Sequence, residues 1–195
     1  ELDAATEPPL LVVSAFEEPE AHLHPQAQRA VFEQIKQVPG QKIISTHSPY
    51  VACVAQLDDF RMVRREATTK VTSTNGITAD PSMDRDALEA VRRFCLTRNG
   101  DMLFARLVLL CEGDTEAGIL PPLARVWWGQ AHDERGISIV PTDGVHSTRT
   151  FARFLTRLGV PWVALVDGDE AGLSELEAMT AISELKSIVQ SSVET

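Results

Sequence analysis

A chain of 195 residues can bury one good core or two small ones, and 44% hydrophobic with 24% charged residues is the balance of an ordinary globular protein. The apolar runs 107–111 and 160–166 are far too short to span a bilayer, and the acidic start Glu1-Leu2-Asp3 is unlike a signal peptide, so the expectation is a cytoplasmic protein without a membrane segment. The formal charge of −10 argues at first sight against a nucleic-acid partner. Its distribution matters more. From Leu107 onward six Lys and Arg stand against thirteen Asp and Glu, a net of −7, which leaves −3 for residues 1–106. Such an excess suits a site that holds divalent cations, whose charge then inverts the local field toward phosphate. An acidic binding module would show the same net charge.

In chain order, the run Leu10-Leu11-Val12-Val13-Ser14-Ala15-Phe16 is too short and too β-rich for a helix and predicts a buried strand. A helix is expected from Pro25, with Ala27, Ala30, Val31 and Ile35 on one face and Pro39-Gly40 ending it. Lys42-Ile43-Ile44-Ser45 predicts a second strand, and 60–65 with 70–73 a hairpin. These make a first unit of about residues 1–75. A linker and helix occupy 76–105, the helix at 84–97 carrying Leu88, Val91 and Cys95 at helical spacing. The second unit, 106–172, alternates strand (107–111), helix (115–128), strand (137–140), helix (148–158) and strand (160–166). That alternation implies right-handed crossovers and a parallel sheet. Residues 173–195 are helical in propensity and stop without a domain-closing element.

Two acidic clusters follow strands at equivalent places: Glu112-Gly113-Asp114-Thr115-Glu116 after 107–111, and Asp167-Gly168-Asp169-Glu170 after 160–166. Sites in open parallel sheets form outside the carboxyl ends of the strands, so both clusters should converge on one edge. Gly113 and Gly168 are read as allowing the sharp exit from each strand. Four carboxylates suit Mg²⁺ or Mn²⁺, which take hard oxygen ligands, and not Zn²⁺, since no His or Cys set lies beside them. Each cluster alone is also explained by a helix-dipole Glu or a solvated Asp-Gly-Asp turn. Their recurrence at matching strand ends favours a metal site.

Glu-Gly-x-x-Glu after one strand and Asp-x-Asp after a later one resembles the Toprim domain shared by topoisomerases, bacterial primases and several nucleases. The resemblance covers about residues 106–172 and implies Glu112, Glu116, Asp167 and Asp169 as metal ligands, with Glu112, Asp167 and Asp169 catalytic. Asp143, in Thr142-Asp143-Gly144 after the middle strand, is either a further ligand or a turn residue, and Glu170 is a weaker candidate.

In the first unit, Glu17-Glu18-Pro19-Glu20-Ala21-His22-Leu23-His24-Pro25 resembles the Walker B and D-loop of ABC-type ATPases. Ser45-Thr46-His47-Ser48-Pro49 resembles their switch-histidine loop. The chemistry accounts for the pattern: a carboxylate at a strand end polarises water near Mg²⁺, and a histidine reaches the γ-phosphate. The resemblance implies an ATP site of Glu17, Glu18 and His47, with Glu18 the catalytic glutamate; Glu17 stands where the family usually has Asp. His22 and His24 are read as packing or interface residues.

The end of an ABC-type ATPase followed by a Toprim domain is the order found in the OLD (overcoming lysogenization defect) family. The fold class expected is therefore α/β, a Rossmann-like Toprim parallel sheet flanked by helices and preceded by an ATPase remnant. The resemblance implies a DNA endonuclease using two Mg²⁺ or Mn²⁺ ions, regulated by its ATPase module, with ATP bound and a homodimer formed by the full-length protein. No G-x-x-x-x-G-K-[ST] loop and no ABC signature occur in the 195 residues, so this chain alone is expected not to hydrolyse ATP. A late basic residue that would stabilise the transition state is expected beyond residue 195. The competing readings are a primase-like or ribonuclease-like Toprim enzyme, and a non-catalytic module whose acidic edge binds metal to dock a partner. Arg149, Arg153 and Arg157 recur every four residues and either track a nucleic-acid backbone or form a solvated face, and Trp127-Trp128 is either interface or core. Cys53, Cys95 and Cys111 are read as buried reduced thiols.

Overall fold

A computed structural model describes residues 12–56, 59–65, 72–75, 85–94, 100–143 and 145–181. The chain divides into two compact units, Glu1–Val54 and Ala55–Thr195. The division falls earlier than the expected boundary near 75, and the hairpin goes with the second unit.

The first unit pairs two parallel strands, β1 (Val13–Glu17) and β2 (Gln41–Ser45), in a register that sets Glu17 beside Ser45. Between them runs α1 (Pro25–Lys36), and α2 (Pro49–Val54) follows β2. Pro25 starts α1 where its missing N–H costs nothing, and the His24 Nδ1 accepts from the Gln26 N–H at 3.4 Å. His24 is thus a helix cap rather than a packing residue. Gly40, at φ 91°, turns the chain into β2, and a Cβ there would strike the Val12 carbonyl. Helices α1 and α2 pack together and bury Phe32, Ile35, Val51 and Ala52. The face read from the sequence shares only Ile35 with this set, because Ala30 points to solvent. The strands are not buried on both sides either. Val13 and Ile43 share an open face within this unit and are each more than half exposed.

The second unit opens with an antiparallel hairpin, β3 (Met62–Arg65) and β4 (Thr72–Asn75), then α3 (Arg85–Phe94) and a 3-10 turn at Gly100–Phe104. The parallel part follows: β5 (Leu107–Cys111), α4 (Asp114–Trp128), β6 (Ile137–Pro141), α5 (Val145–Leu158), β7 (Trp162–Leu165) and α6 (Glu170–Thr180). The strand order is β6-β5-β7, all parallel, with β5 central. The chain steps from β5 to β6 and then back across β5 to β7, so right-handed crossovers put α4 and α5 on opposite faces. The α5 face is the well-packed one. Val108, Leu110, Val140, Phe154, Leu155 and Leu158 are all buried there, each contributing about 1.5–3 kcal/mol of apolar burial. Phe94 of α3 meets Phe151 of α5 edge to face, with ring centroids 5.0 Å apart.

Three boundaries differ from the sequence reading for local reasons. Helix α5 starts at Val145 and not at Thr148, because the Thr148 hydroxyl turns inward to Thr142 (2.8 Å) instead of capping a helix. β7 is shorter than 160–166: the Val160 N–H closes the end of α5 on Leu155, and Pro161 has no N–H to give. α4 runs through Pro121 and Pro122, forgoing two backbone hydrogen bonds, and starts one residue earlier than expected. Cys95 and the expected helical tail beyond 181 lie outside the described residues.

Candidate functional site

The carboxyl ends of β5 and β7 are neighbours. Their register sets Cys111 beside Leu165, so Glu112 and Asp167 leave adjacent parallel strands within about two residues of the same level. The two acidic clusters therefore share one sheet edge, as read from the sequence. Glu112 is half-buried, and its Oε2 atom is buried without a hydrogen-bond partner among the described residues. Leaving a carboxylate oxygen dry and unpaired costs on the order of 1–3 kcal/mol, which a ligand at that position would recover. Glu116, one helical turn on, accepts from the Gly113 N–H at 3.0 Å and so closes the first turn of α4. Asp169 is the N-cap of α6, its Oδ1 accepting from the Gly172 N–H at 2.8 Å, and Asp167 and Asp169 are both exposed. No Lys, Arg or His side chain pairs with Glu112, Glu116, Asp167 or Asp169 among the described residues.

Those four carboxylates share an edge without forming a closed cage. Among the described residues, no three His, Cys, Asp or Glu side chains stand close enough to enclose an ion. The donor set fits a hard divalent cation that keeps several of its waters and needs only one or two carboxylates at a time. Glu112 and Asp167, with Glu116 and Asp169 beside them, are the groups that would hold it. Asp143 sits at the end of β6 in the left-handed region (φ 55°), the geometry of a tight turn. Gly168 is not where glycine is required, since a Cβ there would meet nothing, whereas a Cβ on Gly172 would collide with the Asp167 carbonyl. The close approach lies one helical turn later than the sequence suggested.

Cys111 ends β5 directly before Glu112. It is a free, buried thiol whose pKa is pushed up to about 11 by burial, with Glu116 and Asp114 adding to the effect. Its Sγ–H donates to the Gly113 carbonyl at 3.7 Å, and its own carbonyl accepts from both the Thr142 N–H (2.9 Å) and the Thr142 hydroxyl (3.1 Å). Thr142 and Thr148 are buried and hydroxyl-paired, so the ends of β5 and β6 and the first turns of α5 are linked by polar contacts. None of these threonines was singled out from the sequence. Two buried threonines six residues apart in a mostly polar segment carry no local signal.

The expected reading of Arg149, Arg153 and Arg157 also changes. Arg149 forms a two-point ion pair with Glu175 of α6, Nε to Oε1 at 3.1 Å and Nη2 to Oε2 at 2.6 Å, and all three arginines are partly buried. They are not a fully solvated stripe. Trp127 is 85% exposed, and Trp128 stacks under the Arg135 guanidinium at 5.1 Å, so neither is core.

In the first unit the candidate ATP-site residues gather at the carboxyl ends of β1 and β2. The Glu18 N–H bonds the Ser45 carbonyl at 3.0 Å, extending the ladder past Glu17. That places the Glu18 carboxylate 3.5 Å from the His47 Nε2, across the two strands, with Glu18 held at φ 40°. Such backbone strain in a non-glycine residue clusters at functional sites. Glu17 is exposed at the end of β1. Beside them is a pair the sequence did not reveal. The Thr46 hydroxyl donates to Oε1 of Glu20, a carboxylate only 5% exposed, and itself accepts from the Ser48 N–H at 2.9 Å. The Ser48 hydroxyl in turn reaches Gln28 of α1 at 2.5 Å. The loop carrying His47 is thereby tied to the loop carrying Glu18.

Comparison with known proteins agrees with this division of the chain. A family model for the TOPRIM domain of overcoming lysogenization defect protein-like proteins matches residues 103–169, and one for an AAA ATPase domain matches residues 2–52. The OLD nuclease of Thermus scotoductus is 37% identical over 109 residues, covering 50% of this chain and 20% of that protein. The Old nuclease of Escherichia phage P2 is 27% identical over 165 residues, covering 79% of this chain and 27% of that protein. Escherichia coli YbjD is 30% identical over 164 residues, 84% of this chain and 28% of that protein. The chain thus spans less than a third of the length of these relatives. Residues 103–169 thus carry the TOPRIM domain of overcoming lysogenization defect protein-like proteins, and they follow an AAA ATPase region at residues 2–52.

Proposed function

We propose that the full-length protein is a nuclease that cleaves or nicks DNA with two Mg²⁺ or Mn²⁺ ions held at the edge formed by β5 and β7. The observation that carries this reading is the buried Oε2 of Glu112, without a hydrogen-bond partner, beside three further carboxylates that no cation neutralises among the described residues. Bound there, the ions would polarise the scissile phosphate and lower the pKa of an attacking water. The protein's own part is positional. Glu112 is fixed by the end of β5, Glu116 by the first turn of α4, and Asp169 by its cap on α6. With the carboxylates on two adjacent strand ends, ligands from the β5 side and the β7 side would face a shared phosphate. The names of the relatives, OLD nuclease and Old nuclease, support a nucleic-acid substrate.

In the same reading the first unit contributes Glu18 and His47 to an ATP site completed elsewhere in the full-length protein, which acts as a homodimer. Glu18 would polarise the attacking water, and His47, whose Nε2 lies 3.5 Å from the Glu18 carboxylate, would reach the γ-phosphate. The test is a plasmid assay on full-length protein with Mg²⁺ or Mn²⁺. Nicking that falls on the order of 100-fold or more in Glu112→Ala and Asp167→Ala is expected, about 2.7 kcal/mol or more of transition-state stabilisation. Cutting of RNA alone would favour the ribonuclease reading, and unchanged nicking in both variants would refute the site.

A further inference from the structure

Thr142, Thr148 and Glu175, the buried polar side chains among the described residues of the second unit, all lie behind the carboxylate edge. Thr142 and Thr148 join the end of β6 to α5 and to the Cys111 carbonyl, directly before Glu112. Glu175 is only 2% exposed and is gripped at both oxygens by Arg149, the residue after Thr148. A carboxylate buried to that depth needs its partner, and apolar residues of similar volume would often hold two helices together at least as well. Such a pair does something apolar packing does not: its two parallel hydrogen bonds fix one orientation of α6. That orientation reaches the candidate ligands. The first turn of α6 is capped by Asp169, and Gly172 is packed so closely on Asp167 that no side chain fits between them. The 167–169 loop must follow wherever α6 sits.

We propose that Arg149 and Glu175 are positioning residues, which hold α6 so that Asp167 and Asp169 face the Glu112 side of the edge. One turn of α5 thereby serves both halves of the site, Thr148 toward β5 and Arg149 toward β7. The proposal rests on the reading of the four carboxylates as metal ligands. Its test compares full-length wild type with R149M, R149K and the double variant R149M/E175M. Three readouts are needed: amide exchange of residues 166–173 in metal-free protein, Mn²⁺ affinity by calorimetry, and the kcat and KM of nicking.

The single variant R149M removes the two-point partner of a buried carboxylate and loses thermal stability as well as function. The double variant removes that charge and regains most of the stability. It still exchanges faster at 166–173, binds Mn²⁺ about 10- to 100-fold more weakly, and loses kcat by a similar factor with KM for DNA unchanged. R149K, which keeps the charge without the two-point grip, falls between wild type and R149M. A double variant with wild-type exchange and wild-type Mn²⁺ affinity would overturn the proposal, leaving the pair a staple only. Should Asp167→Ala bind Mn²⁺ and nick like wild type, the metal reading itself fails; the exchange of 166–173 in the double variant still decides whether the pair orders this loop.

Discussion

Each unit of this chain sets acidic residues at the carboxyl edge of a pair of adjacent parallel strands, yet the two edges are satisfied in different ways. In the first unit the strand next to β1 delivers donors: His47 lies 3.5 Å from Glu18, and the Thr46 hydroxyl bonds Glu20. In the second unit the strand next to β5 delivers more acceptors, Asp167 and Asp169, and no side-chain cation answers them among the described residues. The first edge is tied together by its own side chains, though Oε2 of Glu20 is buried without a hydrogen-bond partner among the described residues. The second accumulates like charge, which favours a bound cation over a self-contained contact. The difference follows from the two or three residues after the neighbouring strand, Thr46-His47 in one case and Asp167-Gly168-Asp169 in the other.

If the two edges are chemically independent, they should separate by mutation. Glu112→Ala in the full-length protein is expected to lower nicking on the order of 100-fold or more while leaving ATP hydrolysis within about twofold. His47→Ala should do the reverse to ATP hydrolysis and leave the intrinsic metal-dependent nicking rate close to wild type. Parallel loss of both activities in either variant would break the comparison. The next largest effect concerns the scaffold. Leu155→Ala, in the fully buried α5 face, should cost about 2–5 kcal/mol in denaturant unfolding, against near-neutral effects for trimming the exposed Leu123 of α4. Equal sensitivity of the two helices would show that α4 is covered in the full-length protein. The smallest effect sharpens the first edge. Thr46→Val removes the donor to Glu20 and should cost about 1–3 kcal/mol, because a buried carboxylate is left without that hydrogen bond.

The elements of both units were readable because their apolar patterns are local. Leu107-Val108-Leu109-Leu110-Cys111 can only be a buried strand before Glu112-Gly113, and the strand–helix alternation dictates a parallel sheet. The placement of both acidic clusters on one sheet edge was readable for the same reason, since Glu112 directly follows β5 and Asp167 comes shortly after β7. What was not readable depends on partners distant in sequence. Arg149 looked like one rung of a basic stripe until Glu175, 26 residues away, met it. The Thr46–Glu20 bond spans 26 residues as well, and nothing local distinguishes Glu20 from the solvated acids around it. Residue spacing also chose the wrong face of α1, because Phe32 outweighs the small Ala30 in what the fold buries.

Calorimetric titration of Mn²⁺ into metal-free full-length protein, wild type beside Asp167→Asn, tests the central claim most directly. The account predicts saturable binding in the wild type that weakens at least tenfold in the variant, without loss of thermal stability, since Asp167 is exposed and neutralising one of four carboxylates along one edge lessens like charge. Equal Mn²⁺ affinity in the two proteins would contradict it.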